Sequence, residues 1–216
     1  MSPLAPPATI AFIGLGMMGR PMAARLAEAG FRLRLFDISQ KAISDFVGAH
    51  PSALATASPK AAAQGADALI TMLPDGKIVR QALIEGRDAA RDGLAAGALV
   101  LDMSSSNPVD TQKLARDLAA SGVALLDAPV SGGVRRAIDG SLSIMVGGAA
   151  ADLDRARPAF AAMGKTVTLC GPAGAGHTMK ALNNYLSAAG LVAMCEALVV
   201  GEAFGEIGRA SCRERV

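Results

Sequence analysis

A glycine-rich stretch near the N-terminus has the residue types and spacing that bind a dinucleotide. Gly14, Gly16 and Gly19 follow an apolar run at residues 9–13 and open a segment with helical periodicity. The first glycine permits a tight turn, the second lets the backbone approach a pyrophosphate, and the third allows close helix–strand packing. The helix N-terminus would present free N–H groups to the phosphates. We therefore predict that the whole motif binds the cofactor, namely Gly14, Leu15, Gly16, Met17, Met18 and Gly19.

An acidic residue stands where a ribose-binding carboxylate belongs in this motif. Asp37 closes the second apolar run, eighteen residues after Gly19. Its carboxylate would accept hydrogen bonds from a ribose diol and repel a 2′-phosphate, which favours NAD over NADP. Arg32, Arg34 and Lys41 lie nearby in the sequence, so NADP stays open as the lesser alternative. A glycine-rich turn beside a surface aspartate is the alternative interpretation of both features.

A serine and two glycines form a second candidate site, for a small anion. Ser131, Gly132 and Gly133 end the stretch that begins at Asp127, directly after an apolar run at residues 123–126. The hydroxyl and the unobstructed glycine N–H groups suit a carboxylate. The alternative is an ordinary turn in which Ser131 caps the following helix.

Lys180 and Asn184 lie four residues apart in the first turns of a long predicted helix, so they can reach the same point. A lysine that is partly buried at a domain junction can have a lowered pKa and act as a general acid or base. The asparagine amide could orient the ammonium or bind substrate without adding charge. The alternative is a solvated helix lysine followed by an ordinary asparagine pair, Asn183 and Asn184.

The histidines and cysteines suggest no further chemistry. His50 falls in a loop and is expected to be solvated, whereas His177 is close enough to Lys180 to contact a substrate. No cluster has metal-ligand spacing, so we predict no metal site. Three scattered cysteines without a CxxC pair exclude a disulfide scaffold and favour a reducing, cytoplasmic compartment.

The elements that must position these residues alternate along the chain. Strand-length apolar runs occur at residues 9–13, 33–36, 68–73, 98–101, 123–126, 143–146 and 167–169. Most are separated by alanine-rich segments with a helical period, such as 18–29 and 108–120. This alternation predicts an α/β fold, a mostly parallel sheet covered by helices on both faces. The strands are apolar throughout, which is typical of strands that are buried on both faces.

The pattern changes after residue 171. Glycines and a proline at residues 171–176 predict a loop, and residues 178–204 predict one long helix that leaves the α/β domain and enters another. The apolar part of that helix, residues 186–200, is shorter than a membrane span of about 20 residues and contains Glu196. It therefore favours a buried helix.

Composition excludes several classes of protein. The chain has 216 residues, 51% of them hydrophobic, and a net charge of +2. Such a chain can bury a large core and is not disordered. It has no basic field for nucleic acid. The start of the chain lacks the charged region of a signal peptide, because its first basic residue is Arg20.

The last ten residues, 207–216, break the apolar pattern abruptly and match the translation of a sequencing adapter. We expect natural sequence to end near Glu206 and the remainder to be artefactual. A polar natural terminus is the alternative.

Three ordered motifs make the chain resemble the β-hydroxyacid dehydrogenases. They occupy residues 14–23, residues 127–133 with a continuation to 148, and residues 174–184, and the resemblance extends over residues 8–206. It implies a Rossmann-type, doubly wound, mostly parallel sheet followed by the start of an all-helical second domain. The domains expected from it are an NAD-binding domain at 1–173, an inter-domain helix with the start of the helical domain at 174–206, and the tail at 207–216.

The resemblance also implies roles for individual residues. Lys180 would be the catalytic acid/base and Asn184 its partner at the substrate. The substrate carboxylate would lie at Ser131, Gly132 and Gly133. Leu73, Pro74 and Ser105 would line the nicotinamide side of the cofactor site.

The implied reaction is hydride transfer between NAD and a short 3-hydroxy acid, as in enzymes similar to 3-hydroxyisobutyrate dehydrogenase. A semialdehyde reductase of the tartronate semialdehyde type, using NADH or NADPH, is the same-class alternative. The alternative from a different class is a non-catalytic dinucleotide-binding module. The presence of both Lys180 and Asn184 argues against that module, and Lys180 argues against the related imine reductases.

The sequence departs from the family at its C-terminus, where most of the helical domain is absent. In members of the family that it resembles, that domain carries a second lysine near the cofactor and the substrate, and it is used to dimerise. We therefore expect this chain to bind NAD and a small carboxylate-bearing substrate but to turn over poorly. We also expect it to expose apolar side chains at residues 191–200. No nucleic-acid or membrane partner is expected, and the full-length protein is expected to be a homo-oligomer.

Overall fold

The computed structural model describes residues 3–205, and within them a nine-stranded sheet is the central element. The strand order is β3-β2-β1-β4-β5-β6-β8-β7, and β9 pairs with β8. The strands are β1 (Thr9–Ile13), β2 (Arg32–Phe36), β3 (Leu54–Ala55), β4 (Ala68–Thr71), β5 (Leu99–Asp102), β6 (Ala124–Asp127), β7 (Val130–Ser131), β8 (Leu142–Gly147) and β9 (Gly164–Gly171).

Most neighbouring strands are parallel. Strands β3, β2, β1, β4, β5 and β6 form one parallel run, and β8 and β9 are parallel to each other. The exceptions are the antiparallel pairs β6–β8 and β7–β8. In register, Ile13 lies opposite Phe36 and Thr71, and Asp102 lies opposite Thr71 and Asp127. The carboxyl ends of five strands therefore meet at one edge, where doubly wound sheets bind ligands.

Helices make the connections between the parallel strands, as parallel pairing requires. They are α1 (Gly19–Glu28), α2 (Gln40–Ala49), α3 (Pro59–Ala63), α4 (Gly76–Arg80), α5 (Pro108–Ala119), α6 (Gly133–Asp139), α7 (Ala150–Met163) and α8 (Ala175–Ala203). A π-helical turn (Gln81–Glu85) and a 3-10 turn (Ala90–Gly93) follow α4. Side chains that accept hydrogen bonds from backbone N–H groups cap α2, α3, α4 and α5, namely Ser39, Ser58, Asp75 and Asn107.

The sheet separates two hydrophobic clusters. One contains Phe12 and Phe160, and the other contains Ile13 and Leu118. Adjacent residues of β1 thus face opposite clusters, as the strand period of two requires. This arrangement confirms the predicted α/β fold with a Rossmann-type, doubly wound, mostly parallel sheet.

The structure corrects several details of the sequence prediction. Strands β3 and β7 were not predicted, because a strand of two residues has no readable pattern. Strand β9 is exposed over much of its length instead of buried on both faces, because among the described strands it pairs only with β8. Helix α8 begins at Ala175, inside the predicted loop. The loop prediction failed there because the Asp127 carboxylate accepts hydrogen bonds from the N–H groups of Gly174 and His177.

The chain divides into two compact units, residues 1–180 and 181–216. The second contains the rest of α8, whose side chains at Leu186, Leu191, Val192, Val199 and Val200 are exposed. The expected exposure of residues 191–200 is confirmed in this chain, whereas the expectation of a buried helix at 186–200 stays a prediction. The predicted domain boundaries stay a prediction, and the expected artefact at 207–216 lies outside the described residues.

By length and composition alone, α8 could cross a membrane, with a mean hydropathy of 1.6 over its apolar part. The same two properties occur in helices that pack within soluble proteins, so they do not assign it to a membrane.

Candidate active site

A cavity of about 780 Å³ opens at the carboxyl edge of β1, β2 and β4. Its size falls in the usual range for small-molecule and cofactor sites, about 300–1,000 Å³. Eight of the predicted cofactor residues line it, namely Gly14, Gly16, Met17, Met18, Gly19, Asp37, Leu73 and Pro74. The structure therefore brings together side chains that follow three different strands.

The three glycines of the motif differ in the contacts that a Cβ atom would make at each position. Gly14 has a φ of +100°, and a Cβ there would overlap the Met72 carbonyl oxygen. A Cβ on Gly19 would overlap the Gly14 carbonyl oxygen, so this glycine lets the helix pack against the turn. A Cβ on Gly16 would meet no protein atom within 4 Å. Protein packing therefore does not require glycine at that position, which leaves the backbone there open to the close approach of a ligand.

Asp37 is tied to the glycine turn by its own carboxylate. Oδ2 accepts a hydrogen bond from the Leu15 N–H at 2.6 Å, and Oδ1 accepts one from the Ser39 N–H at 2.7 Å. Leu15 is buried and does not line the cavity, so it contributes through its backbone. A carboxylate has about four acceptor sites. Asp37 can therefore hold the turn and still accept hydrogen bonds from a ribose.

The cations near Asp37 in sequence are engaged away from the cavity. Arg34 donates to the carbonyl oxygens of Ala61 and Ala62 at the end of α3. Arg32 donates to the Pro7 carbonyl oxygen, and Lys41 pairs with Asp45 at 2.7 Å. Among the described residues that line the cavity, Arg87 supplies the only cationic side chain.

Ser131 lies in a strand rather than in a loop. It is the second residue of β7, opposite Ser143, and the N-cap of α6 is Gly132. Ser131 therefore does not cap that helix. Gly132 and Gly133 have φ values of +133° and +67°, a backbone conformation that favours glycine, and both are exposed. A Cβ on Gly132 would lie 2.5 Å from Cδ of Arg136.

Lys180 lies in the second turn of α8 and is half-buried. Burial lowers the pKa of its ammonium below the usual 10.5. Asn184 follows one turn later on the same helix and is exposed.

Sequence reasoning missed a set of buried polar residues beneath this edge. Asp102 and Asp127 are fully buried at the ends of β5 and β6. Asp102 accepts hydrogen bonds from the Thr71 hydroxyl at 2.9 Å and the Ser104 N–H at 3.1 Å. Their position at the end of an apolar run of strand length was the available signal.

His177 belongs to the same buried set. Only 1% of its surface is exposed, which argues against the substrate contact that the sequence left open. Its ring packs inside the protein because Thr111 and the Ser104 carbonyl supply its partners.

Ser105 is exposed and does not line the cavity. Its neighbour Ser104, which the sequence did not single out, accepts a hydrogen bond from the Leu73 N–H at 3.0 Å. Within residues 3–205, no three His, Cys, Asp or Glu side chains are grouped so that they could hold a metal ion.

Family models match nearly the whole described chain. Residues 9–171 match the NAD binding domain of 6-phosphogluconate dehydrogenase. Residues 174–209 match the NAD-binding domain of NADP-dependent 3-hydroxyisobutyrate dehydrogenase.

Curated relatives agree with these models. The chain is 42% identical over 198 residues to the 3-sulfolactaldehyde reductase of Escherichia coli (strain K12) and 43% identical over 196 residues to the NAD-dependent L-serine dehydrogenase of Pseudomonas aeruginosa. Each match covers 91% of this chain and 65% of the relative. The chain therefore spans slightly less than two thirds of these proteins.

A solved structure has the same fold. The 3-hydroxyisobutyrate dehydrogenase of Mycobacterium tuberculosis with L-serine superposes with a TM-score of 0.84 at 38% identity, over 92% of this chain and 66% of that one. With the glycine motif, Asp37 and the order of the sheet, these matches show that the chain contains an NAD(P)-binding domain and belongs to the β-hydroxyacid dehydrogenase family.

Proposed function

We propose that this chain carries the cofactor site and the acid–base lysine of a dehydrogenase that transfers hydride between NAD and a short 3-hydroxy acid. The observation that carries the proposal is the cavity of about 780 Å³ that joins the glycine motif to Asp37. The cofactor, when bound, accepts or supplies the hydride. The chain's own residues bind it, orient the substrate and move the proton.

The proposal gives a role to each predicted site residue, inside and outside the cavity. The turn at Gly16 admits the pyrophosphate, and Asp37 accepts hydrogen bonds from the ribose. Leu73 and Pro74, together with Ser105 outside the cavity, form the nicotinamide side. The substrate carboxylate binds at Ser131 and at the N–H groups of Gly132 and Gly133.

Lys180 acts as the general acid or base of the proposed reaction. In oxidation its neutral amine takes the hydroxyl proton as hydride leaves the same carbon, and in reduction its ammonium returns a proton to the developing alkoxide. The lowered pKa of Lys180 supports this role, because more of the lysine is neutral near physiological pH. Asn184, four residues later on α8, orients the ammonium or the substrate.

NAD is favoured over NADP by the charges around the cavity. Asp37 repels a 2′-phosphate, and Arg32, Arg34 and Lys41 are engaged elsewhere. NADP is still tested, because one family model comes from an NADP-dependent enzyme and a 26% identical protein has a solved structure in complex with NADP+.

The reverse direction, reduction of a semialdehyde, is the second candidate function. It is favoured by the E. coli relative that is named a 3-sulfolactaldehyde reductase. We further propose domains at 1–173 and 174–206, a cytoplasmic location, and a homo-oligomeric full-length protein.

The test compares Lys180→Ala with Lys165→Ala, an exposed lysine on β9. NADH and NADPH affinities are measured by nicotinamide fluorescence, and turnover is measured in both directions with a panel of 3-hydroxy acids and semialdehydes. We expect Lys180→Ala to keep NADH affinity within about twofold and to lower turnover by about 10²–10⁴-fold. Lys165→Ala should change neither.

Turnover that survives Lys180→Ala would contradict the assignment of the lysine. Because slow turnover is expected of this chain, only the complete absence of turnover in wild-type chain that binds NADH would favour the non-catalytic module. Tighter binding of NADPH than NADH would overturn the cofactor preference.

A further inference from the structure

The buried histidine in the first turn of α8 makes hydrogen bonds to three other parts of the fold. Its backbone N–H donates to Oδ2 of Asp127 at 2.8 Å. Its ring Nε2 lies 3.0 Å from the Ser104 carbonyl oxygen, and Nδ1 lies 2.8 Å from the Thr111 hydroxyl. A carbonyl oxygen only accepts, so Nε2 is the donor in that pair. His177 thus joins α8 to the end of β6, to the turn after β5 and to α5.

Two buried carboxylates lie beside the ring of this histidine, at the ends of adjacent strands. Oδ2 of Asp102 and Oδ2 of Asp127 each lie 3.8 Å from a ring nitrogen of His177. The two aspartates are opposite each other on adjacent strands and are fully buried. Asp127 also accepts a hydrogen bond from the Gly174 N–H at 2.7 Å, just before α8 begins. The start of the helix is therefore held by the centre of the sheet.

Ser104 connects His177 to the wall of the cofactor cavity through hydrogen bonds. The Ser104 carbonyl accepts from His177, and the Ser104 hydroxyl accepts from the N–H of Leu73, which lines the cavity. On the other side, Lys180 follows His177 by three residues, so the two lie on neighbouring positions of one helix face. One residue, Ser104, separates the ring of His177 from the cavity wall.

We propose that His177 is a positioning residue that fixes the rotation of the first turns of α8 and thereby sets the position of Lys180 relative to the cofactor cavity. This inference rests on the proposed function for the role of Lys180. The full burial of the ring excludes direct proton exchange between His177 and substrate. Misplacing a catalytic group by about 1 Å costs about 10²-fold in rate. Anchoring the start of α8 to the sheet would therefore protect the rate by keeping Lys180 in position.

The test measures the ionisation of Lys180 with and without His177. The 216-residue chain is labelled at lysine Cε, the Lys180 signal is assigned with Lys180→Arg, and its pKa is read by ¹³C NMR without cofactor. In His177→Gln, which keeps one donor and one acceptor, we expect the pKa of Lys180 to rise toward its usual 10.5 as the helix start loosens. NADH affinity should stay within about twofold, while kcat falls about 10–10²-fold, more than KM changes.

A neighbouring residue provides the matched control. Thr178 lies in the same turn, and its hydroxyl donates to the Gly174 carbonyl oxygen at 2.8 Å rather than to the ring of His177. Thr178→Ala should leave the pKa of Lys180 and kcat unchanged. If His177→Gln does not fold, Thr111→Val replaces it. That variant keeps His177 and removes one ring partner, and it should raise the pKa of Lys180 in the same direction by less.

An unchanged pKa of Lys180 in a folded His177→Gln or Thr111→Val variant would overturn the positioning role. An equal rise in the pKa of Lys180 in Thr178→Ala would also overturn the positioning role. Failure of the wild-type chain to bind NADH or to turn over substrate would instead count against the proposed function, because the Lys180 titration needs neither.

Discussion

Asp37 holds the glycine turn and is proposed to select the cofactor, and substitutions can separate these two roles. Its carboxylate accepts the N–H groups of Leu15 and Ser39, and on the proposed function its charge discriminates against a 2′-phosphate. Asp37→Asn keeps an acceptor for the glycine turn and loses the charge. Asp37→Ala loses both.

We expect both variants to lower the preference for NADH over NADPH by tenfold or more, because loss of about 1.4 kcal/mol of discrimination corresponds to tenfold. Only Asp37→Ala should also lower the free energy of unfolding, by about 1 kcal/mol, since it leaves the partly buried N–H of Leu15 without its acceptor. Fluorescence titration and urea unfolding measure the two effects. Asp45→Asn, at an exposed aspartate on α2, is the control. An unchanged cofactor ratio in Asp37→Asn would show that charge at this position does not select the cofactor.

At the scale of elements, the turn between β1 and α1 has one glycine that the fold does not need. Gly16 faces open space, whereas Gly19 packs against the Gly14 carbonyl. We expect Gly16→Val to weaken NADH binding more than tenfold with a change in unfolding free energy below about 0.5 kcal/mol. Gly19→Ala should destabilise the protein by about 1–3 kcal/mol through overpacking.

Gly48 in α2 is the matched control, because its Cβ would also meet nothing within 4 Å but it does not line the cavity. Gly48→Ala should leave NADH affinity unchanged. Equal losses of affinity at positions 16 and 48 would mean that the open space at Gly16 is not a pyrophosphate site.

The elements also show which features a sequence can reveal. The central strands β1, β4 and β5 were predictable because they are apolar on both faces. The Gly14 motif and Asp37 were predictable because their chemistry is local in sequence. The pairing of Asp102 with His177 was not, because the two residues are 75 positions apart and meet only when α8 packs against the sheet edge. The start of α8 was misplaced for the same reason, since its cap, Asp127, comes from another strand.

At the scale of the whole molecule, the second unit presents apolar side chains to solvent. Leu186, Leu191, Val192, Val199 and Val200 are between 57% and 69% exposed. A contiguous apolar patch on a protein surface marks an interaction site or an aggregation risk. We therefore expect the 216-residue chain to associate with increasing concentration and to bind a hydrophobic dye.

A double variant, Leu191→Lys with Val199→Lys, should suppress both effects, because two charges interrupt the patch while the helix propensity of lysine keeps α8 intact. Ile38→Lys, at an exposed apolar residue beside the cofactor cavity, is the control and should not suppress association. Light scattering between about 1 and 100 μM reports the association, since surface contacts of this kind are concentration-dependent. A wild-type chain that stays monomeric over that range and does not bind the dye would show that the exposed apolar side chains of α8 do not cause self-association.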